Sequence, residues 1–125
     1  GVRLVGSEMC IRDRMQTKYP EVKWPLEYRT LAADDMLISS ASGRDSVTIS
    51  AHQGTKYPHE AFFLEVENIF RRYQGRPHWG KVHSYKKQDL KKVYPEFERF
   101  CQIRDQFDPE GRFLNPFLRG IFCDT

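Results

Sequence analysis

The chain has 125 residues, among them nine Phe, six Tyr and two Trp, which is enough for one domain with a modest aromatic core. No apolar run approaches the ~20 residues of a membrane-spanning helix, and the start lacks the long apolar stretch of a secretory signal. The formal net charge is only +3, but ten Lys or Arg and three acids lie between Arg71 and Arg104. We interpret this segment as a solvated helical surface in preference to an anion-binding patch.

The first fourteen residues, GVRLVGSEMCIRDR, show no hydrophobic period and no helix cap. They also resemble the translation of a sequencing adaptor. We therefore expect residues 1–14 to be a non-native segment that adds nothing to function, the alternative being a frayed N-terminal strand. Residues 15–125 should hold the functional part of the chain.

Two strands are predicted next. Trp24-Pro25 should start an extended segment, because a residue before proline avoids the helical region, and Leu26 to Ala32 follows as a strand. Residues 46–52 alternate more clearly, with Val47, Ile49 and Ala51 on one face and Thr48, Ser50 and His52 on the other.

Helices follow the strands. His59 to Tyr73 is the best candidate, with an apolar stripe and Gly75 placed to cap its end. Asp89 should cap a short turn, and Pro95 should open another helix. The stripe of the first helix is Phe62, Val66, Ile69, Phe70 and Tyr73, and the inner face of the last is Phe97, Phe100, Cys101 and Phe107.

The chain should close with a turn and an aromatic tail. Asp108-Pro-Glu-Gly111 is a turn by composition, and the tail from Phe113 to Phe122 must pack back on the fold to avoid exposure. The fold class predicted from this order is α+β, with antiparallel strands first and helices after.

The cysteines Cys10, Cys101 and Cys123 are odd in number and form no C-x-x-C pair. This spacing argues against a disulfide scaffold and against a zinc site, and favours a reducing, cytoplasmic compartment. His78 and His83 lack a metal-helix spacing and an accompanying carboxylate cluster, so we expect no metal.

The first candidate site lies on the predicted strands. Glu27 and Arg29 leave the same face because they are two residues apart. The carboxylate can accept hydrogen bonds from hydroxyls, and the guanidinium can hold a positive charge where negative charge develops. If the two strands are neighbours, Ser50 and His52 line the same site. The alternatives are a surface ion pair and a structurally satisfied histidine.

The second candidate is Gly75-Arg-Pro-His-Trp-Gly-Lys81, which nearly matches a phosphate-binding Walker loop. Val82 replaces the required Ser or Thr, Pro77 lacks a backbone N–H, and the segment follows a helix, so phosphate binding is disfavoured. As a site loop it offers the rings of His78 and Trp79, the close approach of Gly80 and the cation of Lys81. A packed aromatic turn with an exposed lysine is the alternative.

Four segments in this order resemble the C-terminal region of the sugar-lactone oxidases, the family that includes D-arabinono-1,4-lactone oxidase and the related alditol oxidases. These oxidases belong to the larger group of flavoproteins typified by vanillyl-alcohol oxidase. The resemblance runs from about Trp24 to Phe122. The matching segments are Pro25-Leu-Glu-Tyr-Arg29, Gly75 to Lys81, Tyr94-Pro95 with Phe97 and Phe100, and Asp108-Pro-Glu-Gly-Arg-Phe-Leu-Asn115 with Pro116.

The resemblance implies FAD-linked oxidation of a carbinol carbon in a sugar lactone or polyol, with hydride passing to flavin N5 and oxygen or another acceptor reoxidising the flavin. It makes Glu27 and Arg29 the substrate-positioning pair, with Arg29 also stabilising the reduced flavin. Lys81 would bind substrate hydroxyls. The remaining implied residues lie near the cofactor: His78, Trp79, Gly80 and Asn115.

The implied fold is the C-terminal part of the substrate (cap) domain of a two-domain flavoprotein. The family's FAD-binding domain precedes the segment seen here, and nothing in this chain resembles it or its Gly-rich pyrophosphate loop. The chain alone is therefore expected to bind FAD weakly or not at all and to show little activity. Membrane association is compatible with the family. The competing interpretation is a nucleic-acid-binding module that uses the segment from Arg71 to Arg104, with Trp79 or Tyr85 as stacking platforms. No recognition motif supports it, so no nucleic-acid partner is expected.

Overall fold

The computed structural model describes residues 2–123. Within them the chain forms five helices and one two-stranded antiparallel sheet, which confirms the α+β class. The elements in order are α1 (Val2–Thr17), β1 (Glu27–Leu31), β2 (Ser46–Ser50), α2 (Glu60–Arg72), α3 (Lys87–Val93), α4 (Phe97–Phe107) and α5 (Pro116–Phe122). No helix among these residues is long and apolar enough to cross a bilayer.

The chain divides into two compact units. The first comprises the residues up to Ala32 together with Asp45–Gly75, and the second comprises Ala33–Arg44 and the residues from Arg76 onward. The connection between β1 and β2 therefore belongs to the second unit, although both strands belong to the first. Nothing in the sequence indicates this division, because much of the connection consists of small residues, as in an ordinary loop.

The first unit is built on the pairing of the two strands and on α2. Glu27 lies opposite Ser50, and Arg29 lies opposite Thr48. The apolar stripe of α2 is confirmed, because Phe62, Val66 and Ile69 are buried. Around them lie other apolar side chains of the same unit, which close its core: Ile11, Val22, Met15, Tyr19, Leu26, Ile49, Ala51, Phe63, Phe70 and Tyr73.

The end of α2 differs from the prediction in one residue. Gln74, not Gly75, takes the left-handed conformation, with φ of 56°. The N–H of Gln74 donates to the carbonyl of Arg71 (3.1 Å), and the N–H of Gly75 donates to that of Phe70 (2.8 Å). This is a Schellman motif whose left-handed position holds glutamine. Gly75 is needed for a different reason, because a Cβ there would lie 2.9 Å from Cβ of Phe70.

Residues 2–17 form helix α1, so the expectation that strands come first is wrong. The apolar period that predicts helices is weak in this segment, which explains why its sequence did not indicate one. Ile11 is nevertheless fully buried, and Ser7 is buried beside it in the chain's first unit. The interpretation of residues 1–14 as non-native stays a prediction.

The second unit has its own aromatic core. Its buried members come from α3 and its C-cap, α4, α5 and the loop before α3: Tyr85, Leu90, Tyr94, Phe97, Cys101, Ile121 and Phe122. The rings of Phe97 and Phe122 stack at 5.8 Å. The tail thus packs back through α5, as it must to bury Ile121 and Phe122.

Three details of the helices in the second unit differ from the prediction. Phe107 ends α4 and is 85% exposed, so it does not belong to the inner face. Pro95 lies two residues before α4, whose N-cap is Glu96. Asp89 caps its turn as predicted, but from the third residue of α3 and not from the N-cap position, because its carboxylate accepts the N–H of Lys86 (3.0 Å).

Candidate functional site

A polar face of the hairpin carries the first group of predicted site residues. Cross-strand partners point to the same side of a sheet, so Glu27, Arg29, Thr48 and Ser50 share one face. The guanidinium of Arg29 pairs with the carboxylate of Glu27. Nε2 of His52 lies 3.8 Å from Oε2 of the same carboxylate. The expectation that the two strands are neighbours is therefore confirmed, and the structure brings these side chains together.

The opposite face of the hairpin explains why the polar face stays open. Ile49 and Ala51 pack against the core of the first unit, which fixes which side of β2 is buried. Arg29 keeps 69% of its side chain exposed, and Glu27 keeps 40%. The arrangement can offer hydrogen-bond acceptors, a permanent cation and an imidazole to a polar ligand.

The second group of predicted residues forms a tight turn in the second unit. The N–H of Lys81 donates to the carbonyl of His78 (3.1 Å), and the N–H of Gly80 donates to Nδ1 of His78 (3.0 Å). A neutral His78 therefore carries its proton on Nε2. The side chains of His78 and Lys81 are exposed. A Cβ at Gly80 would meet the His78 ring only at 3.5 Å, an ordinary contact, so this turn does not itself require glycine.

Trp79 points the other way from its neighbours, into the core of the second unit. Its indole N–H donates to the carbonyl of Ile38 (2.9 Å). Its ring stacks on Tyr94 at 5.3 Å and on Phe122 at 5.9 Å. These contacts hold the turn, and the predicted contact of Trp79 with a cofactor stays a prediction.

Arg76 was not singled out from the sequence, although it lies inside the matching motif. Its Nε donates to the carbonyl of Val93 (2.7 Å), and its Nη1 donates to those of Ser42 (2.8 Å) and Ser40 (3.2 Å). The guanidinium carbon lies 5.0 Å from the ring centroid of Tyr94. Burial, with the charge of Arg44, lowers the pKa of Arg76, but a guanidinium stays charged at neutral pH.

Burial also raises the pKa of Tyr94. The only signal in the sequence for this arrangement is an arginine placed between Gly75 and Pro77, which does not reveal the partners of its side chain.

Asn115 and the turn before it have a structural role in the second unit. Oδ1 of Asn115 accepts the N–H of Leu118 (2.8 Å), which makes Asn115 the N-cap of α5. Asp108 accepts the N–H groups of Arg112 (2.8 Å) and Phe113 (3.0 Å). Burial opposes ionisation of Asp108, but these two hydrogen bonds prevail and lower its pKa. The predicted turn at 108–111 is confirmed, with Gly111 at φ of 62°.

The contacts of the basic segment do not favour nucleic-acid binding. Tyr85 is only 4% exposed, and Trp79 is packed against two rings, so neither offers an open stacking face. Several of its cations are already paired with carboxylates: Arg71 with Glu67, Lys91 with Glu98, Arg99 with Glu96 and Arg104 with Asp105. Over residues 2–123 no cluster of three or more His, Cys, Asp or Glu is arranged to hold a metal ion.

Comparison with characterised proteins finds oxidoreductases. The chain is 42% identical to the L-gulonolactone oxidase of Scyliorhinus torazame over 103 residues, which are 79% of this chain and 23% of that protein. It is 38% identical to the L-gulono-1,4-lactone dehydrogenase of Mycobacterium tuberculosis over 109 residues, 87% of this chain and 26% of that protein. It is 32% identical to the alditol oxidase of a Streptomyces species over 112 residues, with the same coverage.

The family is equally clear. The family model described as D-arabinono-1,4-lactone oxidase matches residues 9–121. The chain therefore belongs to the D-arabinono-1,4-lactone oxidase family, which confirms the resemblance seen in its motifs. It spans about a quarter of the length of the relatives it matches. The match begins inside the segment expected to be non-native, and the boundary at residue 14 stays a prediction.

Proposed function

We propose that this chain forms the C-terminal part of the substrate domain of an FAD-dependent oxidoreductase that oxidises a CH–OH group of a sugar lactone. Family membership and the names of the relatives support this class of reaction. An alditol is the second substrate class, because an alditol oxidase is also among the relatives. Since the chain spans about a quarter of these relatives, the activity is that of a longer protein to which this chain contributes.

The observation that carries the proposal is the shared face of Glu27, Arg29 and His52. A lactone or polyol presents several hydroxyls, each of which can donate and accept a hydrogen bond. Glu27 would accept from one hydroxyl while Arg29 and Ser50 bond to others. For the second unit, the family resemblance supports a separate role of Lys81 in binding substrate hydroxyls. His78 would lie close to the flavin ring.

Removal of the hydroxyl proton needs a base. His52 is the candidate on this face, because its imidazole lies beside the Glu27 carboxylate, with Nε2 3.8 Å from Oε2. Arg29 would offset the negative charge that develops on the reduced flavin. Hydrogen-bond donors that stabilise developing negative charge in this way contribute about 3–4 kcal/mol.

The described residues fit one part of FAD and not the other. The exposed guanidinium of Arg29 suits the polar edge of a flavin ring. When bound, the flavin would supply the acceptor for the hydride. No Gly-rich turn at the start of a helix, suited to a pyrophosphate, is found in residues 2–123. The nucleotide part would therefore be bound by the domain that precedes this segment in the family.

The proposal can be tested by grafting residues 9–121 in place of the matching segment of the Mycobacterium tuberculosis relative. We expect the purified chimera to carry flavin and to bleach without oxygen when a sugar lactone or an alditol is added. Arg29→Ala and Lys81→Ala should each lower the rate of bleaching, Arg29→Ala by roughly 100-fold or more. Arg99→Ala and Lys56→Ala, which remove exposed cations outside both candidate groups, serve as matched controls.

The two substrate classes are compared in the same assay, and the faster one names the substrate class. A folded, flavin-bearing chimera that bleaches with neither class would refute the proposal. Equal rates for Arg29→Ala and Arg99→Ala would refute the assignment of the hairpin face, whatever the substrate.

A further inference from the structure

Arg76 bonds to three backbone carbonyls from two separate segments. Its Nε–H donates to the carbonyl of Val93 at the end of α3. Its Nη1 donates to the carbonyls of Ser40 and Ser42 in the 33–44 connection. Stacking of the guanidinium on Tyr94 adds a fourth contact. One planar group with donors in fixed directions thus joins two segments that lie far apart in the chain.

Trp79 and Tyr94 extend this arrangement to the turn itself. The indole of Trp79 donates to Ile38, so the 38–42 segment receives three hydrogen bonds from residues 76 and 79. The hydroxyl of Tyr94, whose ring lies under Arg76, reaches the carbonyl of Pro77 at 3.4 Å. Residues 76, 77 and 79 are therefore held from inside the second unit. His78 lies between two of these residues and Lys81 follows them, and the side chains of both are exposed.

We infer that Arg76 is a positioning residue, which fixes the turn from His78 to Lys81 so that both side chains meet the substrate in one geometry. The role of Lys81 in this inference rests on the proposed function. The claim that Arg76 holds the turn does not. Guanidinium is required rather than charge alone. The carbonyls of Val93 and Ser42 bond to different nitrogens of one planar fork, whereas a lysine presents a single nitrogen on a flexible stem. Site residues of this kind need support from neighbours that lock their geometry.

The first arm of the test uses the chain itself and needs no activity. Hydrogen exchange is followed at the indole N–H of Trp79 and at the amides of Gly80 and Lys81 in Arg76→Lys and Arg76→Met. Ile121→Val, a change in the same core that removes no partner of Arg76, provides a control for general destabilisation. At conditions adjusted to equal global stability, we expect both Arg76 variants to exchange about tenfold faster at these sites, as follows from losing a charge-assisted hydrogen bond.

A third variant, Arg76→Ala, tests the group itself. Added guanidinium ion should slow its hydrogen exchange at the same sites, and added ammonium ion should not. Normal exchange in Arg76→Lys would overturn the inference, because charge alone would then suffice. Exchange that rises equally throughout the second unit would also overturn it, because Arg76 would then serve stability and not the turn.

The second arm uses the chimera. Arg76→Lys should lower kcat/KM by about 10- to 100-fold, the range expected for small misplacements of a binding group. Because Arg76 acts through the turn, combining Arg76→Lys with Lys81→Ala should cost little more than Lys81→Ala alone. Fully additive losses would overturn the inference. A parent chimera that binds flavin but oxidises nothing would refute the proposed function, while the exchange experiment would still decide whether Arg76 holds the turn.

Discussion

Residue 74 offers a sharp test of the local backbone, because a glutamine there adopts a conformation that favours glycine. A residue with a side chain pays roughly 1–2 kcal/mol in the left-handed region. Glycine loses about 0.5–1 kcal/mol more conformational entropy than alanine when it folds. The difference predicts that Gln74→Gly is more stable than Gln74→Ala by roughly 0.5–1 kcal/mol. Comparing these two variants cancels the loss of the glutamine side chain, which both share.

The neighbouring position should also favour glycine over alanine, but for a different reason. Gly75→Ala places a Cβ 2.9 Å from Cβ of Phe70 and 3.0 Å from its carbonyl oxygen. Since one of these contacts is backbone, the end of α2 must shift, at a cost of roughly 1–3 kcal/mol. Glycine is thus expected to be more stable than alanine at both residues, at 74 because of the backbone conformation and at 75 because of the packing.

The assay is urea unfolding of the whole chain, followed by circular dichroism at the helix band. A change in midpoint at constant slope reports stability alone. If Gln74→Ala is as stable as Gln74→Gly, residue 74 is not left-handed and the description of the α2 terminus is wrong. A neutral Gly75→Ala would contradict the close packing of Gly75 against Phe70.

Three further predictions concern charge, packing and the cofactor. The pKa of Glu65 is lowered by the ammonium of Lys18 and, to a smaller extent, by the hydroxyl of Tyr19. The stability that this carboxylate adds is therefore present above its ordinary pKa and is lost as the pH falls through the lowered pKa. Glu65→Gln should flatten that acid limb of the urea midpoint, and an unchanged limb would contradict the pairing. Phe62→Ala should destabilise by about 3–5 kcal/mol, whereas Phe107→Ala should stay within about 0.5 kcal/mol in the same assay. The chain alone should leave the fluorescence of added FAD unchanged, and saturable quenching would show that it binds the flavin by itself.

Helix α2 was predictable because its signal is local. Phe62, Val66 and Ile69 follow the helical period, and the predicted limits differ from the observed ones by one residue at each end. Phe107 shows where the same logic fails. It lies seven residues beyond Phe100, on nearly the same side of the helix axis, but it is the last residue of α4 and is exposed, so the helical period alone does not put it inside.

The polar face of the hairpin was predictable for a similar reason. The two-residue period places Glu27 beside Arg29, and only the pairing of the strands had to be assumed. The partners of Arg76 were not predictable, since Ser40, Ser42 and Val93 lie 17 or more residues away in the chain and offer carbonyls that every residue possesses. Side chains that bond to distant backbone leave no pattern in the residues they contact.

Hydrogen-bond capacity separates the predicted site residues into two groups. Trp79 has a single N–H donor, and Ile38 already receives it, so any ligand contact of Trp79 would have to be through its ring, which stacks on Tyr94 and Phe122. Asn115 likewise uses its side-chain oxygen to cap α5. The guanidinium of Arg29 has five donors, more than its pairing with Glu27 can occupy, and remains largely exposed. Recognition of a hydroxyl-rich substrate by this chain should therefore depend on its exposed charged groups, while the aromatic and amide groups of the same motifs hold the fold that presents them.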